Sequence, residues 1–273
     1  MNWFQKQSSG DCGPGHAPST KLDLEGLVDQ AADLLESGQP EEARDLSLRA
    51  IGIDPLCAFA WSNLAFAQLQ LEELSAAVTS AQRAVEIDPM HATAWHNLGE
   101  AYLRMGDAEK SLTYNNRALT LNPDQPQYWL GKGTALMNLE RFPEALSCLD
   151  RALALNPKHH GAKLNRDVAW LMADPLRKEL FIIILGIAIT HRDTPMDMAS
   201  ALEDLLNSAN GILDRQMVLA FDSFSETNIA LGKPVVPGFC VANRTLARLL
   251  RDPELERICD ARLQECKAKF GIR

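Results

Sequence analysis

Tryptophan returns at a fixed interval in this chain, at Trp61, Trp95 and Trp129, 34 residues apart each time. Proline keeps the interval at Pro55, Pro89, Pro123 and Pro157, and alanine keeps it at Ala50, Ala84, Ala118 and Ala152. Three residue types sharing one period mean one structural unit copied, because no bias of composition holds three registers at once. A unit this short cannot bury its apolar face alone, so the copies must stack into an elongated array. With the tryptophan at position 4, four repeats run 24–57, 58–91, 92–125 and 126–159.

Each repeat reads as helix, turn, helix. In the third, Trp95, Leu98, Tyr102 and Met105 recur at helical spacing. Gly106-Asp107 then breaks the helix, glycine being able to take the left-handed conformation that ends one. Pro40 and Pro143 fall just inside second helices, where a missing amide costs no hydrogen bond. The Asp/Asn-Pro pairs at 54–55, 88–89, 122–123 and 156–157 terminate those helices, since the residue before proline avoids the α region. The recurrent alanines let paired helices approach closely, and the tryptophans read as core.

The run Ala94-Trp95-His96-Asn97-Leu98-Gly99-Glu100-Ala101-Tyr102, followed by Ala118 and Asn122-Pro123, resembles the tetratricopeptide repeat. The second repeat keeps Trp61, Leu64, Ala65, Ala77, Ala84 and Asp88-Pro89. The fourth keeps Trp129, Gly133, Ala145, Ala152 and Asn156-Pro157, with Lys132 where leucine is usual. The first has Leu27 for the tryptophan and Gln30 for the leucine, yet retains Ala31, Gly38, Ala43 and Ala50. The resemblance covers about half the chain. It implies an all-α fold: an α-solenoid of four helix-turn-helix repeats plus a capping helix, followed by a helical C-terminal region.

Outside the array, residues 1–20 read as a flexible N-terminus broken by Gly10, Gly13, Pro14, Gly15 and Pro18. Residues 160–173 read as a helix that covers the last apolar face. Asp174-Pro175 opens a second helix through the apolar run Phe181–Ile189, expected to be buried on all sides. Residues 160–190 are thus a capping segment with the outline of a degenerate fifth repeat. The region 191–273 matches no family. Helices are expected from Thr194-Pro195 to Asn210-Gly211, over 212–231, over 239–251 after the break Pro234 to Gly238, and over 253–269.

The resemblance places the recognition surface on the concave side, lined by the first helix of each repeat. The matching positions hold Phe59, Asn63 and Phe66 in the second repeat, His96, Asn97, Glu100 and Arg104 in the third, and Leu130 in the fourth. Asn63 and Asn97 share position 6. An amide offers donor and acceptor together, so it can hold the backbone of an extended peptide regardless of sequence; the alternative is a solvated or locally bonded asparagine. Phe59, Phe66 and Leu130 either form an apolar groove or pack on the next helix. The carboxylate clamp of chaperone adaptors is not expected, because its cationic places hold Val28, Ser62, Gln127 and Gly131.

The chain carries a net charge of −9, concentrated before Asp174. That argues against nucleic acid and for a basic or neutral protein partner. No phosphate loop, dinucleotide fingerprint, nucleophile elbow or zinc motif appears, so the chain is read as a binding protein without catalysis, metal or cofactor. His191, Arg192, Asp193 and Asp197 cluster in sequence without evidence of shared geometry. Six scattered cysteines and the lack of a secretory leader lead to the expectation of a cytoplasmic location. The apolar run of nine residues is too short for a membrane span, which needs roughly 20. The expected function is an adaptor that grips a peptide or helix of a partner. The alternative is a chaperone-like or assembly subunit acting through its helical C-terminal region and self-association.

Overall fold

The computed structural model describes residues 18–190, 195–208, 213–230 and 237–270. Among them, fourteen helices and no strand are found. The chain divides into two compact bodies, Met1–Glu140 and Arg141–Arg273. The division falls between the two helices of the fourth repeat. Residues 1–17, which include Cys12 and His16, and residues 191–194, which include His191, Arg192 and Asp193, lie outside the described residues.

The first body holds α1 (Pro18–Glu36), α2 (Pro40–Ile53), α3 (Ala58–Gln70), α4 (Leu74–Ile87), α5 (Ala92–Arg104), α6 (Ala108–Leu121) and α7 (Pro126–Asn138). The helices of each of the first three repeats pair, each second helix packs on the next first helix, and α1, α3, α5 and α7 touch in a row. Its core is a chain of small clusters, one per junction. Leu24, Leu27, Val28, Ala50, Cys57 and Ala60 form the first; Ala65, Ala81, Ala84, Ala94 and Leu98 form a later one. This is the nearest-neighbour packing of a solenoid. The periodic alanines Ala43, Ala50, Ala77, Ala84 and Ala118 are fully buried, as their small size at helix contacts requires.

The turns explain why tryptophan and proline share a period. Trp61 Nε1 donates to Pro55 O at 2.9 Å, Trp95 Nε1 to Pro89 O at 2.9 Å, and Trp129 Nε1 to Pro123 O at 2.7 Å. Each indole ring packs against an array cluster while its N–H ties the loop ahead of its helix. The residue before each proline completes the turn. Asp54, Asp88, Asn122 and Asn156 each accept, at Oδ1, the amide two residues on. Their own amides donate to Ala50, Ala84, Ala118 and Ala152, capping the second helix.

The turn inside each repeat has its own rule. Position 15 is left-handed throughout: Gly38 (φ 75°), Glu72 (φ 60°), Gly106 (φ 86°) and Glu140 (φ 57°). The next amide reaches back five residues in the first three repeats: Gln39 N to Leu34 O, Glu73 N to Gln68 O, and Asp107 N to Tyr102 O. These close the first helices in Schellman form. Glycine makes this conformation free of strain, whereas glutamate at Glu72 and Glu140 adopts it against its preference.

The second body holds α8 (Phe142–Leu155), α9 (His160–Met172), α10 (Pro175–Thr190), α11 (Pro195–Ser208), α12 (Arg215–Ala230), α13 (Pro237–Leu249) and α14 (Pro253–Phe270). One core joins α9 to α14 through Leu171, Ile184, Leu202, Phe221, Leu246 and Leu255. Two expectations are corrected. Helix α13 starts at Pro237, inside the expected break, because proline suits the first turn. Helix α10 is not buried all round: Leu180, Ile184 and Ala188 are buried at four-residue steps, while Leu176, Ile182 and Ile183 are exposed. None of the described helices is long and apolar enough to cross a membrane. Arg244 and Arg248, which share a helical face in the sequence, pair with Asp260 and Glu256 of α14. Arg251 lies beyond the helix end.

His91, at the N-cap of α5, gives the first body a pH dependence. It is buried, its ring lies 4.6 Å from that of Phe59, and Nε2 has no hydrogen-bond partner among the described residues. Burial pushes its pKa down to about 4, against the opposing pull of Asp88. Between about pH 4 and the ordinary histidine value the unfolded chain therefore binds the extra proton. Stability falls as pH drops through that window, by about 3 kcal/mol in all. Urea unfolding of the full chain from pH 7 to pH 4.5 should show this loss, and His91→Asn should flatten much of it.

Candidate binding surface of the repeat array

The first helices are held side by side by bonds that skip one repeat plus one residue. Asn63 Nδ2 donates to Val28 O at 3.0 Å, and Asn97 Nδ2 to Ser62 O at 3.0 Å and to Ser62 Oγ at 3.3 Å. Gln70 Nε2 donates to Leu35 O at 3.3 Å, and Arg104 Nη1 to Leu69 O at 2.8 Å. Thr93 Oγ1 and Tyr128 OH lie 3.1 Å apart across the α5–α7 junction. Positions 6 and 13 of one first helix thus each reach a backbone carbonyl of the preceding first helix. Asn63 and Asn97 are 7% and 1% exposed. In this arrangement their amides serve the array, which is the local alternative that the sequence left open.

The remaining expected residues are more accessible. Phe59 is half-buried against the α1–α2–α3 cluster and His91. Phe66 is half-buried between two clusters, one with Leu35 and Ala43, the other with Leu69 and Ala101. Leu130 is half-buried on α7. Arg104 is exposed and takes Glu100 at 2.8 Å and Glu72 at 3.1 Å in addition to Leu69 O. Phe59, Phe66, His96, Glu100 and Leu130 therefore share the row of first helices, each with part of its surface open.

His96 meets a contact that the repeat pattern does not announce. Its Nδ1 lies 2.8 Å from Asn115 Oδ1, and its ring lies 4.9 Å from that of Tyr128. Asn115, from α6, is 1% exposed, and its Nδ2 donates to Ser111 O at 2.9 Å. Burial lowers the His96 pKa.

Three sequence and structure comparisons bear on this arrangement. The profile of the tetratricopeptide repeat matches residues 92–125 and 126–159, and a TPR repeat profile matches 69–106. A thermophilic TPR protein of Thermus thermophilus superposes with a TM-score of 0.51 at 23% identity, covering 66% of this chain and 98% of that one. Residues 69–159 are tetratricopeptide repeats. Such arrays are protein-interaction scaffolds in general. A crystal structure of MamA matches with a TM-score of 0.43 at 24% identity, over 50% of this chain and 79% of that one. MamA of Desulfovibrio magneticus gives 0.47 at 17% identity, over 57% and 85%. No curated protein matches the chain by sequence.

Tetratricopeptide geometry also explains where this array departs from its own pattern. Position 6 is Asn63 and Asn97 in the middle repeats but Gly131 in the fourth. A Cβ at Gly131 would lie 2.6 Å from Asn115 Oδ1, and one at Gly99 would lie 2.5 Å from Asn115 Nδ2. Asn115 occupies position 24, where the other repeats carry Ser47, Ala81 and Leu149. Its amide fills the space between α5 and α7 from the side, so both facing residues must be glycine. The signal was present in the sequence as two coupled departures, Asn115 and Gly131, but only geometry joins them. Gly131→Ala should lower stability by about 1–3 kcal/mol through overpacking. Asn115→Ala in the same chain should recover part of that loss in urea denaturation; strictly additive losses would contradict the wedge.

Proposed function

We propose that this chain is an adaptor whose row of first helices takes an extended or helical segment of a protein partner, the segment being basic or neutral with apolar anchors. The observation that supports this most is the fixed spacing of α1, α3 and α5 by the position 6 and position 13 bonds, with α7 joined to α5 through Thr93 and Tyr128. A row held in this way presents a preorganised surface, which lowers the ordering cost of binding. Phe59, Phe66 and Leu130 supply partly open apolar area on it, and His96, Glu100 and Arg104 supply polar contacts. Acid dominates its N-terminal end. Glu25, Asp29 and Asp33 stand at four-residue steps on α1, and burial together with its two acidic neighbours raises the Asp29 pKa. A basic residue in the partner relieves that repulsion.

Asn63 and Asn97 contribute by setting the spacing, and the peptide contact falls to the side chains around them. A second reading, association through the C-terminal body, is favoured by one observation: Leu176, Ile182 and Ile183 of α10 are exposed large apolar residues. Photo-crosslinking separates the two. A photoreactive residue placed singly at Phe59, Leu130 and Ile182 of the full chain should label one and the same partner segment from Phe59 and Leu130, and not from Ile182. Labelling from Ile182 alone would overturn the groove reading and support the second.

A further inference from the structure

His96 stands at position 5 of the third repeat, in the middle of the row of first helices. Its ring is fixed from two sides. Nδ1 lies 2.8 Å from Asn115 Oδ1, and the ring of Tyr128 lies 4.9 Å away, its own hydroxyl 3.1 Å from Thr93 Oγ1. Asn115 cannot turn its amide round. Its Nδ2 donates to Ser111 O at 2.9 Å, and a backbone carbonyl only accepts, so Oδ1 must be the atom that faces His96.

An amide oxygen also only accepts, so His96 Nδ1 carries the proton of that bond. Burial lowers the pKa of His96 against the pulls of Asn115 and Glu100, which keeps the ring neutral at pH 7. A neutral imidazole with its proton on Nδ1 has a bare lone pair on Nε2. That atom takes no hydrogen bond among the described residues. Unlike Nε2 of His91, which is closed off from solvent, it keeps accessible surface on a half-buried residue.

The wedge that holds this ring carries a cost. Asn115 needs glycine at both facing positions, Gly99 and Gly131. Gly131 stands at position 6, where Asn63 and Asn97 tie their helices to the preceding ones. Packing alone is served at the Asn115 position by Ser47, Ala81 and Leu149 in the other repeats. What Asn115 adds is a fixed histidine tautomer.

Neighbouring polar groups are already engaged. Asn63 and Asn97 bond the array, and Glu100 accepts from Arg104 at 2.8 Å. His96 Nε2 therefore stands open as a neutral acceptor, which a donor satisfies and a carboxylate does not. An extended segment turns its backbone amides outward, and an amide that loses water on docking needs an acceptor.

We propose that His96 Nε2 accepts a backbone N–H of an extended partner segment, with Asn115 as the positioning residue that fixes the tautomer. The inference rests on the adaptor reading of the same surface. It selects an extended segment over a helical one, since a helix spends its interior amides on itself.

Two measurements on the full chain test it. Nitrogen-15 resonance of the imidazole rings at pH 7 should show His96 protonated on Nδ1 and bare on Nε2; a proton on Nε2 would overturn the proposal whatever the partner. The second uses a peptide selected from a random library on the full chain and shown to label from a photoreactive residue at Phe59. His96→Gln keeps an acceptor near the Nε2 place and should bind that peptide within about threefold of the parent, whereas His96→Asn keeps only the donor toward Asn115 and should lose about tenfold. Methylating the peptide's backbone nitrogens one at a time should find one position that costs about tenfold in the parent and far less in His96→Asn. If His96→Asn does not fold by circular dichroism, protection decides: the peptide should shield His96 from diethyl pyrocarbonate, which modifies a bare and accessible imidazole nitrogen. Equal affinity of the two variants, a methylation profile unchanged in His96→Asn, or unshielded modification would sink the proposal and leave the adaptor reading standing. Failure to select any peptide that labels from Phe59 would sink both.

Discussion

A side-chain amide buried between two helices must find a hydrogen-bond partner, and in this array it finds the backbone of the previous repeat. Asn63 and Asn97 each give an Nδ2 donor to a carbonyl 35 residues earlier, and the side chains of Gln70 and Arg104 do the same about two helical turns further on. An unpaired amide in these places would cost about 1–3 kcal/mol. The bonds therefore fix where one first helix lies along the next, which apolar contact alone does weakly. What is proposed for α1, α3 and α5 rests on that spacing: the partly open side chains of Phe59, Phe66 and His96 keep their mutual positions because the helices beneath them are pinned to one another.

Much of this was legible in the sequence. The shared period of Trp61, Pro55 and Ala50 with their copies announced helix pairs and their turns, and the structure shows a reason for each: indole to proline carbonyl, Asx turn, close helix contact. Gly106 announced a left-handed turn, and Gly38 holds the same position in the first repeat. Glu72 and Glu140, in the same conformation, announced none, because a glutamate there goes against local preference and is imposed by the array. Asn63 and Asn97 were visible as a pair, but sequence cannot say which neighbour an amide will bond. A peptide backbone and the carbonyl of a preceding helix ask for the same residue.

The C-terminal body was harder to read for a different reason. Its helices could be placed from Asp174-Pro175, Thr194-Pro195 and Asp252-Pro253, since capping is local. Its packing is not local. Ile184, Phe221, Leu246 and Leu255 meet from four helices without any period, so the single core leaves no trace in spacing.

The most direct test of the inter-repeat bonds is the hydrogen exchange of the Asn63 and Asn97 side-chain amides, read by nuclear magnetic resonance in the full chain. Asn116, which is exposed on α6, serves as reference. Amides bonded inside the array should exchange far more slowly than that of Asn116, at rates approaching those of buried backbone amides. Exchange as fast as that of Asn116 would contradict the account and return both asparagines to the peptide-binding surface.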